Sequence, residues 1–185
     1  KTVQLTGNIE YNYNVANSGN IADSTVNLNL SDANSFWTGN AVLSNGGASD
    51  SSIDTVAGPN PNLSNGGTWN VANSTTPTTS ESGASTTPLA INNLSLNDGT
   101  VNFTDASQSA KIENLSGTGG QVNAAVEKHA DGTYRTSTLS ADKVDTSSGT
   151  PTLNMNMVGT NGTTVNSDVI SADELASLTA AAATG

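Results

Sequence analysis

The sequence predicts an all-β fold, a parallel β-solenoid carrying loop insertions, and three observations predict it. Apolar residues alternate strictly with Asn in VNLNL (Val26 to Leu30), WNV (Trp69 to Val71), VNF (Val101 to Phe103) and LNMNM (Leu153 to Met157). Successive side chains of an extended strand point to opposite faces, so each run gathers its apolar residues on one side. A phrase also recurs, a leucine, a polar Gly turn, a bulky apolar residue, Asn and another apolar residue: LSNGGTWNV from Leu63, LNDGTVNF from Leu96 and LSGTGGQVNA from Leu115. Finally, the bulky residues after the turn, Trp37, Trp69, Val101 and Val122, are separated by 32, 32 and 21 residues. A unit of roughly 20 residues, interrupted by insertions, is the spacing of a solenoid. One such unit cannot bury its own apolar face, so neighbouring rungs must stack and share a core.

The elements come in order along the chain. KTVQLTGNIE starts in what reads as a strand, which leads us to expect a processed or excised piece with any targeting signal upstream of Lys1. Val26 to Leu30 and the Trp37 segment are the next strands. Ser44 to Asn62 and the low-complexity NSTTPTTSESGASTTP, Asn73 to Pro88, read as insertions, the latter a flexible loop and a candidate for O-linked sugar or contact. The turn signals Asn65-Gly66-Gly67, Asp98-Gly99, Gly117-Thr118-Gly119-Gly120 and Asp131-Gly132 separate the remaining strands. Asn-Gly and Asp-Gly are also hairpin signals, so an antiparallel sandwich competes; the repeat spacing favours stacking. Ser171-Ala172-Asp173-Glu174 fits a capping box ahead of an alanine run, which predicts a solenoid over 1–170 and a short helix or frayed tail over 171–185.

The expected core stack is Trp37, Trp69, Val71, Val101, Phe103, Leu153 and Met155. Asn at equivalent positions of successive rungs would hydrogen-bond along the stack in ladders, and other Asn residues would simply keep outward faces soluble.

Composition sets the limits. Leu, Ile, Val and Phe make up less than a fifth of the 185 residues, a content that with a net charge of -11 belongs to disordered chains. The placement of those few residues is what argues for folding. Five basic residues, Lys1, Lys111, Lys128, Arg135 and Lys143, are too few and too scattered for a nucleic-acid or anionic-lipid surface. No run approaches the roughly 20 apolar residues of a membrane-spanning helix. The absence of Cys excludes disulfides and thiolate chemistry. Asp50 with Asp54 and Asp142 with Asp145 are the nearest acid pairs for glycosidase-type catalysis, yet their contexts read as solvated loop charge. His129, the one histidine, sits in a charged turn and reads as a surface residue. We expect no catalytic residues, no cofactor and no obligatory metal.

NGGTWNVANS at Asn65 to Ser74, INNLSLNDGTVNF at Ile91 to Phe103 and KIENLSGTGGQVN at Lys111 to Asn123 together resemble the C-terminal part of autotransporter passenger domains of the adhesin type. These include the self-associating and diffuse-adherence autotransporters of Gram-negative bacteria. The same series of coils runs in the same order, over about Leu63 to Val158. The resemblance implies a right-handed parallel β-helix displayed at the bacterial cell surface and secreted through the protein's own C-terminal outer-membrane barrel. It implies partners among host-cell or bacterial surface receptors, or the same protein on neighbouring cells, in adhesion, autoaggregation and biofilm. It also implies an autochaperone region over Lys111 to Val158, with Lys111, Ile112, Asn114, Leu115, Gly117, Gly120 and Val122 in its coils. A carbohydrate-active β-helix enzyme and a purely structural stalk are the rival readings.

Overall fold

The computed structural model describes residues 1–12, 25–44, 56–72 and 86–159. Every regular element among them is a strand, and stacked parallel strands form a β-solenoid of about 4 turns. The short helix or frayed tail expected over 171–185 lies outside the described residues. The strands are β1 (Gln4–Thr6), β2 (Ile9–Asn12), β3 (Asn27–Leu30), β4 (Phe36–Gly39), β5 (Ala41–Ser44), β6 (Asn60–Ser64), β7 (Thr68–Val71), β8 (Thr86–Pro88), β9 (Ile91–Phe103), β10 (Ser109–Lys128), β11 (Tyr134–Thr136), β12 (Thr138–Val144) and β13 (Thr152–Met157).

One stack of strands is built on the bulky residue of the recurrent phrase. Leu5 pairs in register with Trp37, Trp37 with Trp69, Trp69 with Val101, Val101 with Val122 and Val122 with Leu153, all in parallel strands. A second stack joins β3 to β6, β6 to the first half of β9, that half to the first part of β10, and β10 to β12, again in parallel. Strand β2 pairs parallel with β5, and β8 closes that smaller sheet antiparallel to β5.

The apolar residues of the stacks meet inside. Leu30 and Leu63 pair in register, as do Leu63 and Leu96, and all three are buried. Trp37 and Trp69 are both 0% exposed and stack with ring centroids 5.3 Å apart and planes 8° from parallel. Each indole N–H donates to a carbonyl one rung away, Trp37 Nε1 to Gly7 O and Trp69 Nε1 to Gly39 O, both at 2.9 Å. A buried indole thus keeps its polar atom satisfied, as burial in a dry core requires. Val71, Val101 and Phe103 complete this part of the expected core. Leu153 is only partly buried against it, and Met155 is half-buried and outside the core cluster, because β13 has a described neighbour, β10, on one side alone.

The corners between the stacks are where the Gly turns lie. Asn65 and Asp98 take the left-handed conformation at equivalent corners (φ 49° and 64°), a conformation that Asn and Asp tolerate better than other side chains. Their backbones bond from rung to rung: Asn65 N donates to Asn97 O and Gly66 N to Asp98 O. These dipeptides therefore make solenoid corners instead of hairpins. Asp131-Gly132 is the exception, a true hairpin turn, with Gly132 at φ 84° and β11 antiparallel to the end of β10.

One sequence boundary needs correction. Asn60 to Asn62, expected to lie in an insertion, belong to β6, a core strand paired on both sides. Within Lys111 to Val158 the chain also forms the β10–β11 hairpin. Most of the insertion Asn73 to Pro88 lies outside the described residues; Thr86–Pro88 is β8.

Candidate interaction face

The outward side of the tryptophan stack is built from the residues flanking each core residue. Residues two apart on a strand point the same way, so Gln4, Phe36, Thr68, Thr100, Gln121 and Thr152 form one outer row, and Thr6, Thr38, Asn70, Asn102, Asn123 and Asn154 a second. Along a row the step is the strand spacing, about 4.8 Å, and between rows it is two residues of rise, about 6.7 Å.

The second row is a hydrogen-bonded ladder. Asn70 Nδ2 donates to Thr38 Oγ1 at 3.1 Å, Asn102 Nδ2 to Asn70 Oδ1 at 3.0 Å, Asn123 Nδ2 to Asn102 Oδ1 at 3.4 Å and Asn154 Nδ2 to Asn123 Oδ1 at 2.9 Å. Every bond runs in the same direction, from a later rung to the one before it. A neighbouring ladder lines the second stack, where Asn60 donates to Asn27 at 3.1 Å and both Asn92 and Asn93 donate to Asn60 at 3.0 and 2.9 Å. Asn62 donates to Asn29, and Asn97 to Asn62, at 3.4 and 3.5 Å. The expected Asn ladders are therefore present, and they also fix the rotamers of amides that would otherwise move freely on the surface.

Of the residues singled out in the autochaperone-like coils, Ile112, Leu115 and Val122 are buried, and Asn114 donates to Asn92 O at 3.2 Å. Gly117 and Gly120 stand where a Cβ would run into Leu96 O and Gly99 O of the preceding rung. Lys111 faces Asp142 at 3.6 Å, with both side chains more than half exposed, so the pair is worth little.

Of the acid pairs weighed for catalysis, Asp142 and Asp145 lie among the described residues. Asp142 is engaged by Lys111, while Asp145 accepts the Ser147 backbone N–H at 2.9 Å. Asp50 and Asp54 lie outside the described residues. His129 is exposed and occupies the hairpin, where its backbone N–H donates to Thr133 O and Lys128 sits 5.4 Å from the centroid of the Tyr134 ring. Among the described residues no group of three or more His, Asp or Glu is placed to hold a metal. The crevice beside Leu96, Leu115, Gly117, Val144 and Pro151 offers about 10 Å³, room for one water. A small-molecule site takes roughly 300 Å³ or more.

Three carboxyls are held below the usual carboxylate range. In each a hydroxyl two residues on is the main cause, followed by the backbone N–H of the same residue: Ser107 for Asp105, Thr133 for Asp131 and Ser147 for Asp145. A folded pKa lowered below the unfolded value contributes stability that is fully present above about 3.9, and that is lost as pH falls through the lowered values. In a carboxyl-carbon NMR titration these three residues should therefore show midpoints below about 3.9. Midpoints at or above that value would mean that the three turns are open in solution.

The outer Thr positions were missed as a row by sequence reading, which followed the apolar residue and the Asn. The signal was present, since Gly-Thr-Trp-Asn and Gly-Thr-Val-Asn carry Thr in the same place. No family model matches the chain, and neither a curated protein nor a solved structure matches it.

Proposed function

We propose that the chain is a non-enzymatic segment of a Gram-negative autotransporter passenger, displayed at the cell surface and acting in adhesion and autoaggregation. The observation that carries this reading is the laddered wall: six stacked strands present rows made mostly of amides and hydroxyls in register, a surface suited to many weak contacts at once. Multivalent contact of this kind gains strength from number, without a deep pocket. In the same reading the rungs over 111–158 template the folding of rungs laid against them, since a solenoid grows by propagation from a formed edge. The ladder's uniform direction fits that role, because each C-terminal rung offers amide N–H groups to the oxygens of the rung laid before it.

The reading is tested by displaying the chain on bacteria that otherwise stay suspended. Cells carrying it should settle, and Asn102→Asp with Asn123→Asp, which places like charges on one wall, should slow the settling several-fold. Equal settling of both populations, or none in either, overturns the adhesive role.

A further inference from the structure

The two-row face over the tryptophan stack has a chemistry narrower than general stickiness. None of its twelve residues is charged, although the chain carries -11 overall. A face free of charge on so acidic a protein matches an uncharged occupant. Its only aromatic member is Phe36, because both Trp side chains point inward at 0% exposure, so it lacks the flat exposed rings on which sugars stack. Each of Asn70, Asn102 and Asn123 spends one N–H and one lone-pair site on its ladder neighbours, leaving one donor and one acceptor site free of the ladder. Among the described residues the Thr100 and Thr152 hydroxyls have no protein partner.

Apart from Phe36, the face is thus a rigid grid of groups that donate and accept, with about 4.8 Å between neighbours along a row and about 6.7 Å between the two rows. Crystalline water is a neutral occupant that donates and accepts at every site and repeats in two dimensions on that scale. We infer that this face binds ice. A single hydrogen bond to water gives no net gain over liquid, but ladder-fixed amides and hydroxyls pre-order a layer of water, and many such waters frozen into the lattice hold the protein by multiplicity. The inference rests on the face alone and stands apart from the adhesive reading.

The test uses the purified chain and growing ice. The chain should enter a slowly grown ice hemisphere and slow ice recrystallisation, while an inert protein of similar size is excluded. Thr100→Lys, an outward substitution at a half-buried position, should cut the ice-bound fraction at least tenfold with circular dichroism unchanged. Lys111→Ala, away from the face, should leave it unaltered. Exclusion of the folded wild-type chain from ice overturns the inference, as does equal entry of Thr100→Lys. Retention on crystalline cellulose or chitin without entry into ice would assign the face to a glycan and overturn it too. None of these results depends on cell settling, so the two proposals fail separately.

Discussion

Gly99→Val should lower unfolding stability by at least about 3 kcal/mol, the upper part of the range for overpacking a close-packed interior. Gly99 sits at a corner and pairs with Gly120 of the following rung. A Cβ added there would lie 2.5 Å from Leu63 Cβ and 2.6 Å from Leu63 O, in the rung before. Real Cβ atoms do not approach that closely, and the obstacle is backbone as well as side chain. The usual relief, a rotation of a flexible neighbour, is closed. The rungs would have to separate, yet their spacing is set by the ladder hydrogen bonds on either side of the corner. Gly67 and Gly120 stand in the same column with the same close approach, so the rule belongs to the corner and not to one residue. Gly132→Ala is the control: its φ of 84° carries left-handed strain, but nothing lies within 4 Å of the added carbon. It should cost about 1 kcal/mol, the penalty of the conformation alone. Urea unfolding of both variants separates the two causes. Equal midpoints for Gly99→Val and the wild type would mean that rungs do not stack at this corner.

The parts of the fold that were legible in the sequence are those in which one local rule acts at every rung. Strict alternation with Asn marked the strands, and the 32-, 32- and 21-residue intervals gave the register in which Trp37, Trp69, Val101 and Val122 lie above one another. The Asn ladders were legible too, because identical amides one strand apart are within reach of each other. Features that depend on neighbours far along the chain stayed hidden. Asn60-Pro61-Asn62 reads as a loop, since proline is rarely at home inside a sheet; nonetheless Pro61 pairs with Leu28 and is buried. Asp98-Gly99 and Asp131-Gly132 are the same dipeptide, one a corner and the other a hairpin, and nothing local distinguishes them. They differ in the path of the chain beyond them: past Gly99 the strand continues between Trp69 and Val122, whereas past Gly132 the chain returns along β10. The face was half-legible for a similar reason. Its Asn row repeats without interruption from Asn70 to Asn154, but Gln4, Phe36 and Gln121 break the Thr row, and only the register shows that they belong to it.

The second large effect is expected at Trp69. Trp69→Ala should lose about 3–5 kcal/mol, the cost of emptying a large aromatic site in a core that cannot collapse around it. The side chain is 0% exposed, lies flat against Trp37 and donates its indole N–H to Gly39 O. Truncation removes all three contributions at once. Gly39 O would retain the bond from Ala72 N at 3.2 Å, so the carbonyl is not orphaned and the loss is mainly one of packing. Trp69→Phe separates the parts: the ring still fills most of the space, the N–H donor is gone, and the cost should fall to about 1–2 kcal/mol from a lost hydrogen bond and a thinner contact. The stack also predicts coupling. In Trp37→Ala the remaining Trp69 has already lost its ring partner, so the double variant should be less unstable than the two single losses added together, by about 0.5–1.5 kcal/mol for an aromatic pair. Because the chain holds only these two Trp residues, the near-ultraviolet dichroism of stacked indoles should vanish in either single variant. Additive losses with the dichroic signal retained would place the two rings apart, and the tryptophan stack, with the outward grid that it supports, would have to be redrawn.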